Sequence, residues 1–433
     1  MARVGSPVGL SMRGRSQGID SLVITVDQAL VSLCNFAMGI LLARSLGLEG
    51  YGQYALIYAV VQYLSTFSGA LINAPMLTLA PQVSDPLLLR RLLRGAFGIQ
   101  LLLALATSSL AVVVVVLLSV IDEFDFMASA LFPMACVAVA YQCQDWTRRF
   151  HIARQRGVGA LRADVVAYAG GLALMALLAY RHLLSVNTAL WSLALMMGLS
   201  FLVEMISQRL VVNWTSMKAA YEAGRRDARS NLVGWQLMWG ANQGILFIGA
   251  GLLGPEAVGA IRVTQNLMGP LNSLYQVLDN VLPVRAASEY VRTGVDGLLR
   301  QLKRTFWGGA VLLVPLLVLI AAFAETLLVH LYGDGYGVHV NLVYWQCAFF
   351  FLQYVIRYFQ IYHRTVSRVE EVAWAGVLCM GTSLFAAGAL IPLMRETGIL
   401  ASWCVAWALA TLYLYAAARR AGSGRAPSAR EST

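Results

Sequence analysis

The sequence predicts an all-α, polytopic membrane protein of about twelve transmembrane helices in two parallel six-helix repeats. Three observations predict it: the composition, the side on which basic residues fall, and an internal repeat. Of 433 residues, 59% are apolar and only 12% charged, with a mean hydropathy of +0.67. A water-soluble domain carries about 25% charge. A spanning helix needs roughly 20 apolar residues, so about twelve spans consume about 240. The remainder suffices for short connections and leaves no separate soluble domain.

Apolar stretches run over approximately 20–44, 51–78, 95–120, 127–147, 163–180, 186–208, 231–253, 258–282, 305–329, 339–361, 372–392 and 398–418. Breaker-rich segments separate them, such as Gly47-Leu-Glu-Gly-Tyr-Gly52, Ala80-Pro-Gln-Val-Ser-Asp-Pro86 and Gly333-Asp-Gly-Tyr-Gly337. The organisation read from this is a tail at 1–19, a bundle at 20–220, a second bundle at 221–418 and a tail at 419–433. Residues 1–18 are basic, but the long apolar stretch that follows is unlike a cleavable signal.

The formal charge of +10 is spread over many short connections rather than gathered into a nucleic-acid-binding patch. Numbering the connections alternately from the N-terminus puts 28 of the 32 Lys and Arg residues on one side. Arg44, Arg181 and Arg395 fall on the other, and Arg262 lies within a span. Positive residues accumulate on the cytoplasmic side, so both termini are predicted to be cytoplasmic.

Asn35, Gly47, Glu49, Gly52 and Asn73 recur 207 residues later as Asn242, Gly254, Glu256, Gly259 and Asn280. The offset carries spans one and two onto spans seven and eight. A repeat of six spans keeps both copies in the same orientation, the parallel type of internal repeat found in transporters.

Six cysteines lie in apolar segments without a Cys-x-x-Cys pair, and five histidines are dispersed, so neither a disulfide framework nor a metal site is indicated. Charges at membrane depth are costly and mark function or pairing. Asp27, Glu204 and Asp279 are candidates to bind H+ or Na+, or else to pair internally. Arg262, flanked by Ile261 and Val263, either faces a cavity that receives an anion or pairs with one of those three acids. Asn35, Asn73, Asn242 and Asn280 supply uncharged donors, for a polar cavity or for interhelical hydrogen bonds. Arg148 and Arg149, at the end of span four, form either a basic mouth for phosphate groups or a positive-inside anchor. Gly333-x-Gly335-x-Gly337 follows no strand and reads as a turn.

With these residues in view, the chain resembles the multidrug/oligosaccharidyl-lipid/polysaccharide (MOP) exporter superfamily, and within it the Wzx-type flippases of surface-polysaccharide repeat units. The likeness rests on Asn35-Phe36, Leu42-Ala-Arg-Ser-Leu-Gly47 and Tyr51-Gly52-Gln-Tyr54. It rests further on Gln144-Asp145-Trp-Thr-Arg148-Arg149, which is similar to a Gln-acidic-x-x-Arg-Arg motif, and on Leu331-Tyr-Gly333-Asp-Gly-Tyr336. The resemblance implies two bundles around a central cavity in a bacterial inner membrane. It implies a lipid-linked oligosaccharide as cargo, the phospholipid bilayer as surroundings, and a polysaccharide polymerase and chain-length or export proteins as partners. H+ or Na+ would be the coupling ion, with no other cofactor. Arg262 is then a pyrophosphate contact, and Arg44 is placed to serve release.

Two other functions stay open. A drug or metabolite cation antiporter of the same fold would draw on Asp27 and Glu204. A membrane-embedded glycan polymerase or glycosyltransferase would need carboxylates in a sizeable extramembrane loop. The acidic turn Asp122-Glu123-Asp125 is the nearest approach to that.

Overall fold

A computed structural model of the chain describes residues 8–83, 85–118, 125–154 and 156–423. Residues 1–7, 424–433, Asp122 and Glu123, together with the side chains of Asn280, Arg226 and Arg229, lie outside the described set. Every regular element among the described residues is helical. Among the described residues seven helices are long and apolar enough to cross a membrane, including Pro86–Leu117, Val186–Ser207, Val369–Met394 and Glu396–Arg420.

Two of the seven are too long for one crossing. Val23–Leu79 has 57 residues, about 85 Å of helix at 1.5 Å per residue, against a hydrocarbon core of about 30 Å. It breaks at Gly47, with φ 71° and ψ −176°, where the sequence predicts the first connection. That conformation is open only to glycine. The segment Gly269–Ala322 breaks in the same way at Gly294, with φ 70° and ψ −161°.

The repeat acquires its physical meaning here. Gly254, 207 residues after Gly47, adopts φ 85° and ψ 171°, the same unusual conformation. Glu49 and Glu256 then sit in the first turn after each glycine break, where a carboxylate favours the positive end of the helix dipole. The second glycines form the crossing. A Cβ on Gly52 would run into the carbonyl of Pro255, and one on Gly259 into the carbonyl of Leu48. Leu48 and Pro255 are themselves 207 residues apart, so the contact is reciprocal, as at a two-fold axis. Gly-x-Glu-x-x-Gly is thus a break, a dipole cap and a close crossing in six residues.

The chain divides into two compact units, Met1–Trp239 with Gly254–Pro270, and Gly240–Leu253 with Leu271–Thr433. The partition differs from bundles at 20–220 and 221–418. The glycine crossing holds helix Pro255–Leu267 in the first unit. Helix Trp214–Trp239 also joins it, because Gly95 and Gly98 let Ser216 and Met217 approach closely. This helix begins within the predicted connection before span seven.

The core of the first unit is an aromatic stack. Phe97 lies 5.5 Å from Trp146 and 6.0 Å from Phe201, and Trp146 lies 5.2 Å from Phe150. Cys143, Ile72 and Met76 close around it. The second unit buries Ile356, Cys379, Ala406, Ala410 and Leu414, with Trp403 stacked on Phe349.

Among the described residues three single π-helical turns interrupt the spans, at Gly69–Asn73, Val165–Ala169 and Gly240–Gly244. Such turns widen the helix locally and are frequent at functional positions. Each one contains or adjoins a polar residue of interest: Asn73, Asp164 and Asn242 respectively. Pro75 follows the first turn and deprives it of a backbone donor.

The crossing makes a direct prediction. Gly52→Ala and Gly259→Ala each destabilise the protein by about 1–3 kcal/mol, read as a lowered thermal midpoint in detergent. Gly198→Ala does not lower it, because a Cβ there meets nothing within 4 Å.

Candidate functional site

The polar residues of the first unit gather around the motif Gln144–Arg149, on helix Leu131–Ala153. Arg148 Nη2 lies 3.0 Å from Asp27 Oδ2, and Arg148 Nε lies 2.9 Å from Asp164 Oδ2. Gln144 donates to Asp164. Arg149 Nε donates to Asp145 Oδ2 at 2.9 Å, and Asn73 Nδ2 donates to the same oxygen at 3.0 Å. Trp146 between them fills the aromatic core, fully buried. The motif therefore ties together spans one, two, four and five.

Its electrostatics are unbalanced. Asp27 and Asp164 are both 0% exposed, and Arg148 is their shared cation. One guanidinium against two ionised carboxylates leaves one negative charge, and an uncompensated buried charge costs several kcal/mol. Asp27 Oδ1 has no hydrogen-bond partner among the described residues. The cluster therefore holds one carboxylate more than its shared guanidinium compensates.

A second charged group lies further along the same helix. His151 Nε2 is 3.0 Å from Glu204 Oε2, both buried, and Arg162 donates to Glu204 Oε1. Gly159 leaves room for the imidazole, since a Cβ there would strike it. Here the Glu204 carboxylate faces the Arg162 guanidinium, so it is already compensated.

An uncharged network completes the first unit. Gln142 accepts from Ser68 at 2.8 Å and donates to Thr107 at 3.2 Å, and Gln100 donates to Ser68 at 3.1 Å. All four side chains are buried. In the second unit Arg357 Nε donates to Asp279 Oδ1 at 3.2 Å while its guanidinium covers the Tyr275 ring at 4.2 Å.

The sequence candidates thus separate. Asp27, Asn73, Arg148 and Arg149 come together. Glu204 belongs to the neighbouring histidine group, and Asp279 to the second unit. The three acids weighed as partners of Arg262 engage Arg148, His151 with Arg162, and Arg357. Arg262 itself sits on helix Pro255–Leu267 and donates to Gln265 Oε1 at 2.9 Å. Arg44 and Asn35 are exposed, and Asn242 is half-buried in its π-turn. Asn280 has no described side chain. Arg148 and Arg149, read from the sequence as either a basic mouth or a positive-inside anchor, are both held by carboxylates.

Asp164, Arg162 and His151 join these polar groups, and the span pattern did not single them out. The fifth helix continues from Gly157 to Tyr180, starting six residues before the predicted span. The available signal was the run Val158-Gly-Ala-Leu-Arg-Ala-Asp164, which holds no proline to stop a helix.

Removing the shared cation tests this geometry. Arg148→Ala destabilises the protein by about 3–5 kcal/mol, measured by thermal unfolding in detergent. Adding Asp27→Asn with Asp164→Asn recovers part of the loss. A wild-type midpoint for Arg148→Ala would refute the cluster.

No protein-family model and no curated protein matches the sequence. Solved structures do match over nearly the whole chain. An outward-facing multidrug-resistance MATE transporter of the MOP superfamily aligns with a TM-score of 0.61 at 13% identity, covering 95% of this chain and 96% of that one. A MOP superfamily transporter from Pyrococcus furiosus, described as having a binding pocket of reversed polarity, gives 0.61 at 13%, covering 94% and 95%. The lipid II flippase MurJ in an inward closed conformation gives 0.66 at 10%, covering 92% and 87%. These neighbours are transporters and flippases rather than enzymes, and the chain has the multi-pass helical fold of the MOP superfamily transporters.

Proposed function

We propose that the protein is an alternating-access flippase for an oligosaccharide carried on polyprenyl pyrophosphate, a surface-polysaccharide repeat unit. It moves this cargo from the cytoplasmic to the periplasmic leaflet of a bacterial inner membrane, with both termini cytoplasmic. The observation that carries the reading is the motif Gln144–Arg149. Its sequence is similar to a flippase motif, and four of its side chains are engaged in the polar knot around Asp27, Asp145 and Asp164. A fold shared with a lipid II flippase supports it. In this reading Arg262 meets the pyrophosphate, Arg44 assists release, and Asn35, Asn242 and Asn280 contribute polar contacts to sugar, while Asn73, fully buried on Asp145, shapes the cavity from behind. A polymerase and chain-length or export proteins would take up the product.

The excess carboxylate at Asp27 and Asp164 supplies the energy coupling. A cation or proton bound there neutralises the cluster, and its loss leaves a buried negative charge that favours rearrangement. The same observation favours a second reading, a cation antiporter, because MATE transporters share the fold.

The two readings part in proteoliposomes. The flippase reading predicts movement of a labelled polyprenyl-linked oligosaccharide that rises with an imposed H+ or Na+ gradient. Asp27→Asn slows that gradient-driven movement by at least about tenfold, while the cargo still binds; one lost charge-assisted contact is of that size. Transport of a cationic dye without any movement of the saccharide lipid would establish the antiporter instead.

A further inference from the structure

The second unit carries a basic cleft that the transport reading does not use. Leu278 and Arg285 before the Gly294 break line one cavity with Gln301, Arg304, Thr305 and Gly308 after it. Residues so far apart in the chain share a cavity because the two arms fold back on each other at Gly294. The cavity measures about 480 Å³, within the range of small-molecule sites.

Its walls are fixed from behind. Tyr358 donates to the Thr305 carbonyl at 3.2 Å, Tyr354 donates to that of Phe306, and Gly309 packs on the Tyr354 hydroxyl. Gly308 turns the other way, and a Cβ there would meet nothing within 4 Å. The cleft wall is therefore bare backbone at Gly308.

The charges in the cleft differ from those at Arg148. Arg285 and Arg304 are exposed, and neither is ion-paired with a described residue. Nearby Arg292 is paired with Glu289 at 3.0 Å. Arg304, Trp307, Gly308 and Val311 are three or four residues apart and share one helix face. Trp307 and Val311 are exposed, as is Val284 beside Arg285. Two unpaired guanidiniums thus stand at the head of an apolar, outward-facing surface, with an indole at the boundary where membrane interfaces enrich it.

We propose that this cleft binds the phosphate-ester headgroup of a membrane lipid, with Arg285 and Arg304 clamping the phosphate and the chains lying along the Trp307 and Val311 face. Guanidinium forks match phosphate oxygens two at a time. Basic pockets between spanning helices recognise lipid phosphates by this means. The inference needs only that the chain lies in a bilayer. Because the readout is bound lipid and not transport, its failure is separable from failure of the flippase reading.

The experiment is native mass spectrometry of the full-length protein in detergent. It is titrated separately with phosphatidylglycerol, with a polyprenyl phosphate and with a fatty acid. At least one phosphate lipid is expected to be retained and the fatty acid not. Arg285→Gln and Arg304→Gln each weaken retention by about tenfold, and both side chains are exposed, so folding is preserved. Gly308→Trp fills the cleft with its charge intact and also abolishes retention, whereas Arg292→Gln leaves it unchanged. Preference for phosphatidylglycerol assigns the site to a bilayer lipid, and preference for the polyprenyl phosphate to a cargo-type lipid. Retention that is indifferent to all three cleft substitutions, or equal for the fatty acid, overturns the proposal.

Discussion

A charge inside a bilayer cannot be left to water, and the arrangement around Arg148 follows from that constraint. Asp27 from the first helix, Asp164 from the fifth and Arg148 from the fourth share one buried group. Gln144, Asp145, Arg149 and Asn73 extend it to the second span. Helices that feel no hydrophobic drive toward each other in lipid need such polar contacts and close packing to associate. The cluster supplies the first. The Phe97–Trp146–Phe201 stack beside it supplies the second.

The other organising element is the crossing of the two repeats. Gly52 and Gly259 bring backbones together where no side chain fits, and their partners Leu48 and Pro255 complete a reciprocal contact. The same six-residue motif sets where each helix starts. It therefore binds sequence duplication to a pseudo-symmetric contact inside the first unit. A backbone-on-backbone crossing is among the least compressible contacts available to a helical fold.

Much of the fold was legible because the bilayer acts on composition. Apolar runs pointed to an all-helical fold and breakers to the first connection at Gly47, and the 207-residue offset named the glycines that share a backbone conformation. The candidate site was only partly legible. Asp27 and Glu204 stood out because an acid in an apolar run is conspicuous. Asp164 did not, because it lies at the edge of its run beside Arg162, where a solvated helix end explains it as well. Arg148 read as a surface cation for the same reason. Hydropathy records distance along a chain and not which helices meet, so the pairing of Arg148 with two acids 121 and 16 residues away required the fold.

The charge imbalance is the centre of this account, and vibrational spectroscopy reads it directly. Infrared difference spectra of the purified protein at neutral pH, without added sodium, are expected to show one protonated carboxyl group. That band disappears in the Asp27→Asn, Asp164→Asn variant, and on adding sodium if the cluster takes Na+ in place of the proton. Spectra showing both carboxyl groups ionised, with no bound cation, would contradict a cluster that holds one further positive charge.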